Sequence, residues 1–334
     1  MSVETPVSAN TTGHEHSIFR GEPMNTIMLG ISDIEVSKLC LGAMYFGSKT
    51  KKKMSYELLD QYVEAGGNFI DTANIYARWV SGCVGGESEL LLGEWMRERG
   101  NRDQLIIATK VGFEYPGVER GLQAWRIEQE CEKSLKRLGI ETIDLYYAHV
   151  DDRNTPQEET LEAFDNLVRA GKVRVIGASN FLAWRLEEAM WISQQQGWTE
   201  YCCVQQRYTY LRPRAGTTFD PQISANDDLL DYCKARGLTM LAYSPLLNGA
   251  YSRADRQFPP QYVSADSDKR LNVLREIANE TGATVNQVIF AWMLHSEPAV
   301  IPLIAASTKE QMQENLDAAN VRLTPEQMAR LNQA

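Results

Sequence analysis

The chain has 334 residues, of which 43% are hydrophobic and 23% charged, and 34 Lys+Arg against 44 Asp+Glu leave a net charge of −10. A chain this long buries most of the surface its unfolded form exposes, so its core needs neither disulfide nor metal. The acidity, with a pI near 5.1, speaks against nucleic-acid and anionic-membrane partners, and the longest apolar runs, 288–294 and 298–306, are too short for a transmembrane helix.

Residues 1–23 are rich in Ser, Thr, Glu and Gly and carry neither a period nor an apolar signal block. They predict a flexible arm ahead of a folded unit over 24–334, and a cytoplasmic protein. From there, short apolar runs alternate with amphipathic stretches of helix length. The runs predict strands at 39–41, 68–70, 105–108, 143–148, 173–176, 201–204, 239–242 and 300–301. Helices are predicted at 55–65, 88–99, 126–138, 156–170, 183–196, 227–236, 285–296 and 308–319, with an extra one at 269–281. Thr155-Pro156 followed by Glu158 and Glu159 reads as a capped helix start, and Gly66, Gly100, Gly139, Gly171 and Gly237 stand where helices should stop. Strand–helix units repeated in series without a break in composition predict a (β/α)8 TIM barrel of one domain. The long connections 208–225 and 247–268 both follow strands. In a barrel they lie over the C-terminal mouth, where loops of that length cover a ligand. The six cysteines, at 40, 83, 131, 202, 203 and 233, form no C-x-x-C and read as small buried hydrophobes, with no metal site.

The chain carries no Gly-x-Gly-x-x-Gly after a strand, no Walker loop and no Gly-x-Ser-x-Gly elbow. Polar residues instead stand at strand ends. Asp71 closes one strand with Tyr76 five residues on, Lys110 closes the next, and His149 the next. Together they suit carbonyl reduction, because a ketone or aldehyde that accepts a hydride develops an alkoxide, which a placed proton donor and hydrogen-bond donors stabilise. Tyr76 is the expected acid, its pKa lowered by roughly 1 to 3 units by the Lys110 cation. Asp71 is expected to hold Lys110 by an ion pair, and His149 to orient the carbonyl through a neutral imidazole.

Several stretches also resemble a known family. These are Leu29-Gly30-Ile31-Ser32 with Glu35-Val36-Ser37, Leu41-Gly42-Ala43-Met44-Tyr45-Phe46-Gly47, Phe69-Ile70-Asp71-Thr72-Ala73 through Tyr76, Gly86-Glu87-Ser88-Glu89 and Thr109-Lys110-Val111. Asp144 to His149, Ile176-Gly177-Ala178-Ser179-Asn180-Phe181, Gln205, Tyr243-Ser244-Pro245-Leu246 and Gln311 with Glu314-Asn315 continue the series in order. From about residue 25 onward the chain resembles the aldo-keto reductases. That resemblance implies a (β/α)8 barrel, a tetrad of Asp71, Tyr76, Lys110 and His149, and an NADP(H) or NAD(H) cofactor lying extended across the mouth without a Rossmann loop. Ser179, Asn180 and Gln205 would hold the carboxamide, Tyr243 would stack under the nicotinamide, and Ser244, Pro245 and Leu246 would border the pyrophosphate. Gly42, Ala43, Met44, Asp71, Ser307 and Gln311 would also contact the cofactor, and Glu314 and Asn315 would touch its adenine.

The family often holds a 2′-phosphate with Lys or Arg where this chain has Ala305, Ala306, Ser307 and Gln311, with only Lys309 nearby. The departure implies weak discrimination between NADPH and NADH, or a preference for NAD(H). Tyr76 and His149 would hold the carbonyl of a small-molecule substrate. The aromatics Tyr45, Trp79, Tyr115, Trp125, Tyr208 and Tyr210, beside Arg207, are expected in mouth loops and would suit a sugar-like carbonyl, with the insertion 78–85 lengthening one wall. Two other uses stay open: an alcohol or sugar dehydrogenase running oxidatively, and a cofactor-sensing binding subunit like those of potassium channels. Oligomeric state is open at this level.

Overall fold

The computed structural model describes residues 24–334, and the flexible arm expected over 1–23 lies outside them. The described chain starts with an antiparallel hairpin, β1 (Thr26–Met28) and β2 (Glu35–Ser37). Eight parallel strands follow: β3 (Cys40–Gly42), β4 (Phe69–Asp71), β5 (Ile106–Val111), β6 (Ile143–Ala148), β7 (Val173–Ser179), β8 (Tyr201–Arg207), β9 (Thr239–Tyr243) and β10 (Val300–Ile304). They close into a barrel in the order β10-β3-β4-β5-β6-β7-β8-β9.

Around it stand α1 (Lys52–Glu64), α2 (Glu87–Arg99), α3 (Ala124–Leu138), α4 (Gln157–Arg169), α5 (Ala183–Gln196), α6 (Asp227–Arg236), α7 (Ala265–Thr281), α8 (Val285–His295), α9 (Lys309–Asp317) and α10 (Pro325–Gln333). The (β/α)8 barrel read from the sequence is therefore the observed fold. Gly100, Gly139 and Gly237 cap helices in the left-handed conformation as expected, and Gly66 and Gly171 take it one residue past the cap.

Four local expectations change. The hairpin β1–β2 was not foreseen, because its strands are three residues each and too short to show a period. Its turn plugs the bottom of the barrel, with Leu29, Ile34 and Val36 fully or almost fully buried against the lumen. Gly30 is required there: at φ +57° its position allows no Cβ, which would lie 1.8 Å from the Cys202 carbonyl oxygen. The helix α10 was also missed, although Thr324 and Gln327 form a capping box at its start. Next, Thr155 does not cap α4; Pro156 takes the cap position, and the Thr155 hydroxyl donates to Asp152 Oδ2 at 2.6 Å. Finally α7 starts at Ala265 rather than 269, because Ser264 accepts from the Ser267 N–H and sets the cap earlier.

Most barrel strands also run further at their C-terminal ends than their apolar runs suggest. The added residues include the polar ones Asp71, Lys110, Ser179, Gln205 and Arg207, which an apolar pattern excludes.

Candidate active site

Side chains along a strand alternate between its two faces, so every second residue of a barrel strand points into the lumen. Phe69, Ala108, Leu145, Cys203 and Leu241 form a buried apolar floor. Two residues further along the same strands stand Asp71, Lys110, Tyr147, Gln205 and Tyr243. Thus the floor and the polar layer above it follow from one period of two. Gly177, on β7, leaves the room Tyr147 needs, since a Cβ there would meet the Tyr147 ring and Cys203 Sγ at 2.8 Å.

Lys110 Nζ, wholly buried, donates to Asp71 Oδ1 at 2.5 Å, to the Thr72 carbonyl at 2.7 Å and to the Tyr76 hydroxyl at 2.8 Å. These bonds use all the ammonium's protons. The Tyr76 hydroxyl donates to Asp71 Oδ1 at 3.2 Å, and Gln205 Nε2 donates to Asp71 Oδ2 at 2.8 Å. His149 follows β6 directly; its ring stands edge-on to Tyr76, with centroids 6.2 Å apart, and to Phe113 at 4.7 Å. Its Nδ1 is buried and has no partner in the protein. The structure brings together all four residues of the expected tetrad.

Electrostatics of the tetrad differ from expectation in one respect. Burial pushes the Tyr76 phenol well above its ordinary value, and the Asp71 charge adds to the rise. The expected lowering by Lys110 is overturned, because the ammonium is neutralised by Asp71 at 2.5 Å and is itself held down by burial. Burial, and then the Lys110 charge, holds His149 well below the imidazole value of 6.5, so its ring is neutral.

Among the described residues the non-glycine positions with left-handed φ are Ala77 (77°), Asn180 (59°), Ser244 (57°), Leu247 (48°) and Asn248 (58°). All follow the C-terminal ends of barrel strands, and strain held in this way collects at working sites. Asn180 Nδ2 donates to the His149 carbonyl at 2.9 Å and to Ser179 Oγ at 3.1 Å, while its Oδ1 accepts from Tyr243 OH at 2.7 Å and Ile223 N at 3.1 Å. That bond set locks β6, β7 and β9 together at the mouth.

A family model described as the aldo/keto reductase family matches residues 38–334. The chain belongs to the aldo/keto reductase family. Its relatives include norsolorinic acid reductase of Emericella nidulans, 32% identical over 90% of this chain and 79% of the relative. An uncharacterised oxidoreductase of Bacillus subtilis is also 32% identical, over 92% of this chain and 95% of the relative. Among solved structures, a thermostable aldo-keto reductase crystallised with the inhibitor epalrestat superposes with a TM-score of 0.74 and 31% identity, covering 93% of this chain and 99% of that one. Membership makes this aldo/keto reductase an NAD(P)H-dependent oxidoreductase.

Its remaining candidate residues fall into three groups. Gly42 pairs with Asp71 across β3 and β4, the Ala43 N–H donates to the Asp71 carbonyl at 2.8 Å, and Met44 and Phe113 pack against the cluster of Ala73, Ile75 and Tyr76. Trp79, 46% exposed, stands edge-on to Tyr76 at 6.3 Å, and Lys49 Nζ sits 4.5 Å over the Tyr45 ring. At the far end Gln311 Oε1 accepts from Ser307 N, Asn315 Nδ2 donates to the Ala305 carbonyl, and Glu314 Oε1 accepts from Thr284 and Asn286. Three aromatics expected in the mouth are elsewhere. Trp125 stands in the first turn of α3 and faces outward under Arg126, while Tyr208 and Tyr210 turn onto Trp292 of α8. A helix start and an outward loop base look the same as a mouth loop when only composition is read.

The sequence reading also missed the brace behind Tyr76. Thr72 Oγ1 donates to Ser88 Oγ, which donates to the Ala43 carbonyl, and Asn74 Nδ2 donates to the buried Glu130, which also accepts from Tyr115. Ser88 stands in the noted Gly86-Glu87-Ser88-Glu89 run, yet nothing in its spacing points to Thr72.

Proposed function

We propose that this aldo/keto reductase reduces an aldehyde or ketone to the alcohol with NADPH or NADH, with Tyr76 as the proton donor. The observation that carries the reading is the buried Lys110, which bonds the Tyr76 hydroxyl and Asp71 at once under an open strand-end mouth. The residues suit a nicotinamide cofactor. Tyr243 offers an aromatic face at the rim, Ser179 and Gln205 offer an hydroxyl and an amide on adjacent strands, and the left-handed turn from Ser244 to Asn248 sits beside them. Gly42, Ala43, Met44 and Asp71 would border the reactive end, with Pro245 and Leu246 along the pyrophosphate. Asn180 is already saturated, so it would contribute to carboxamide binding only by exchanging a bond, or by fixing Ser179 and Tyr243.

When bound, the cofactor supplies a hydride to the substrate carbon. The chain's own part is to manage the oxygen. The neutral His149 ring orients the carbonyl by donating a hydrogen bond, which polarises the oxygen without a proton being transferred to it. Tyr76 then gives its proton to the developing alkoxide, which is far more basic than a phenolate even when the phenol pKa is raised. Lys110 already donates into the Tyr76 oxygen, so the phenolate forms beside a fixed cation. Asp71 keeps that cation in place. Tyr45 and Trp79 would flank the substrate.

The 2′-phosphate end lacks an arginine. Each charge-assisted contact of that kind is worth about 1.5 to 3 kcal/mol, so either NADPH and NADH are weakly discriminated, with any preference for NADPH below about a hundredfold, or NAD(H) is preferred. The raised Tyr76 pKa keeps the phenol protonated at neutral pH, the form that reduction uses. Titrating the tryptophan fluorescence with NADPH and NADH, and then following cofactor consumption with benzaldehyde, tests the reading. Saturable binding with a modest ratio and multiple turnover supports it. No binding of either cofactor refutes the reductase reading, and a ratio above about a hundredfold refutes the specificity.

A further inference from the structure

Arg207 ends β8 two residues beyond Gln205, whose amide bonds Asp71, so the period of two turns Arg207 to the same lumen side about 6.6 Å nearer the solvent. Across the sheet it pairs with Tyr243. Its Nε donates to the Tyr262 hydroxyl at 3.3 Å, one Nη to Gln222 Oε1 at 2.9 Å, and its plane lies 4.6 Å from the Phe219 ring centroid. Every one of these partners is neutral. Among the described residues no carboxylate lies within 4.0 Å of the guanidinium, and its other N–H donors have no protein partner. Among the described residues the other arginines without a carboxylate partner are exposed, except Arg270, which two carbonyls satisfy. Below Arg207, Asp71 and Lys110 cancel each other and His149 is neutral. The half-buried guanidinium therefore brings to the layer above the tetrad a positive charge that no carboxylate within 4.0 Å compensates.

We propose that Arg207 is an oxyanion receptor, taking a carboxylate or phosphate group of the ligand seated in the mouth. Planar guanidinium donors match both groups in geometry. Two sources fit that chemistry, the diphosphate of the cofactor and an acidic group on the substrate. The inference rests on the reductase reading above.

The test uses the full chain, Arg207→Met, Arg207→Lys and the control Tyr262→Phe, which breaks the contact to the 247–264 loop but keeps the charge. The readouts are the dissociation constants of NADPH and NADH from tryptophan quenching at low and high salt, and the ratio of kcat/KM for 4-carboxybenzaldehyde over benzaldehyde. Arg207→Met is expected to lose about ten- to a hundredfold in one of them. A loss in cofactor affinity, flattened at high salt, assigns the anion to the diphosphate. A loss confined to the substrate ratio assigns it to a substrate carboxylate. Arg207→Lys restores part of either. Changes below about threefold in both readouts, or the same loss in Tyr262→Phe, overturn the proposal and leave Arg207 as a loop clasp. A wild type that binds neither cofactor and reduces neither aldehyde overturns the reductase reading itself, an outcome distinct from an active wild type with unresponsive Arg207 variants.

Discussion

A single ion pair sets the character of the mouth. Lys110 and Asp71 are both fully buried, a costly arrangement unless each is fully hydrogen-bonded, and Thr72, Tyr76 and Gln205 supply those bonds. Removing one partner strands the other. Asp71→Asn is expected to lower stability by about 3–5 kcal/mol in denaturant unfolding and to abolish turnover together. The shifts at the tetrad also fix the pH behaviour. With the Tyr76 pKa raised, the phenol stays protonated through neutral pH, so kcat for reduction should be flat between about pH 6 and 9, while kcat for alcohol oxidation should rise throughout. An oxidation rate that levels off near pH 7 would contradict the raised phenol. His149 is depressed, so its share of stability is whole above pH 6.5 and is lost as pH falls below that value, where the unfolded chain takes up a proton first.

At the scale of elements, the strands explain why so much of the site was legible. Asp71, Lys110, Gln205 and Tyr243 stand two residues past apolar lumen residues of their own strands, a pattern that places them in one layer before any contact is known. His149 was legible as the residue following a long apolar run. Loops were read less well. Composition predicts that 208–225 and 247–268 are long, but not that they join, as they do where Arg214 N donates to the Gln261 carbonyl and Phe219 packs on Tyr262 at 5.5 Å. Nor does it distinguish aromatics that face the mouth from Tyr208 and Tyr210, which anchor a loop base on Trp292. The hairpin plug was invisible for a different reason, since a turn that fits only because Gly30 has no side chain leaves no periodic trace. Gly30→Ala should cost about 3 kcal/mol or more, from the clash with the Cys202 carbonyl added to the left-handed backbone penalty, as read by thermal unfolding.

Across the whole molecule, the barrel is a rigid ring that brings residues far apart in sequence to one rim. Asp71 and Gln205 are bonded although 134 residues separate them. No helix of the described residues is long and apolar enough to cross a membrane, and no group of three or more His, Cys, Asp or Glu among them is placed to hold a metal ion. At the mouth, left-handed backbone, a buried ion pair and a neutral imidazole coincide. The pKa of Tyr76 was the point at which sequence reasoning failed, because a neighbouring cation was counted and the burial of the phenol was not. The claim that this phenol donates the proton is tested most directly by Tyr76→Phe, assayed in parallel for cofactor binding and for steady-state reduction of benzaldehyde. Unchanged cofactor affinity with kcat lower by roughly two to four powers of ten is the predicted result. A variant that turns over within tenfold of the wild type would contradict it.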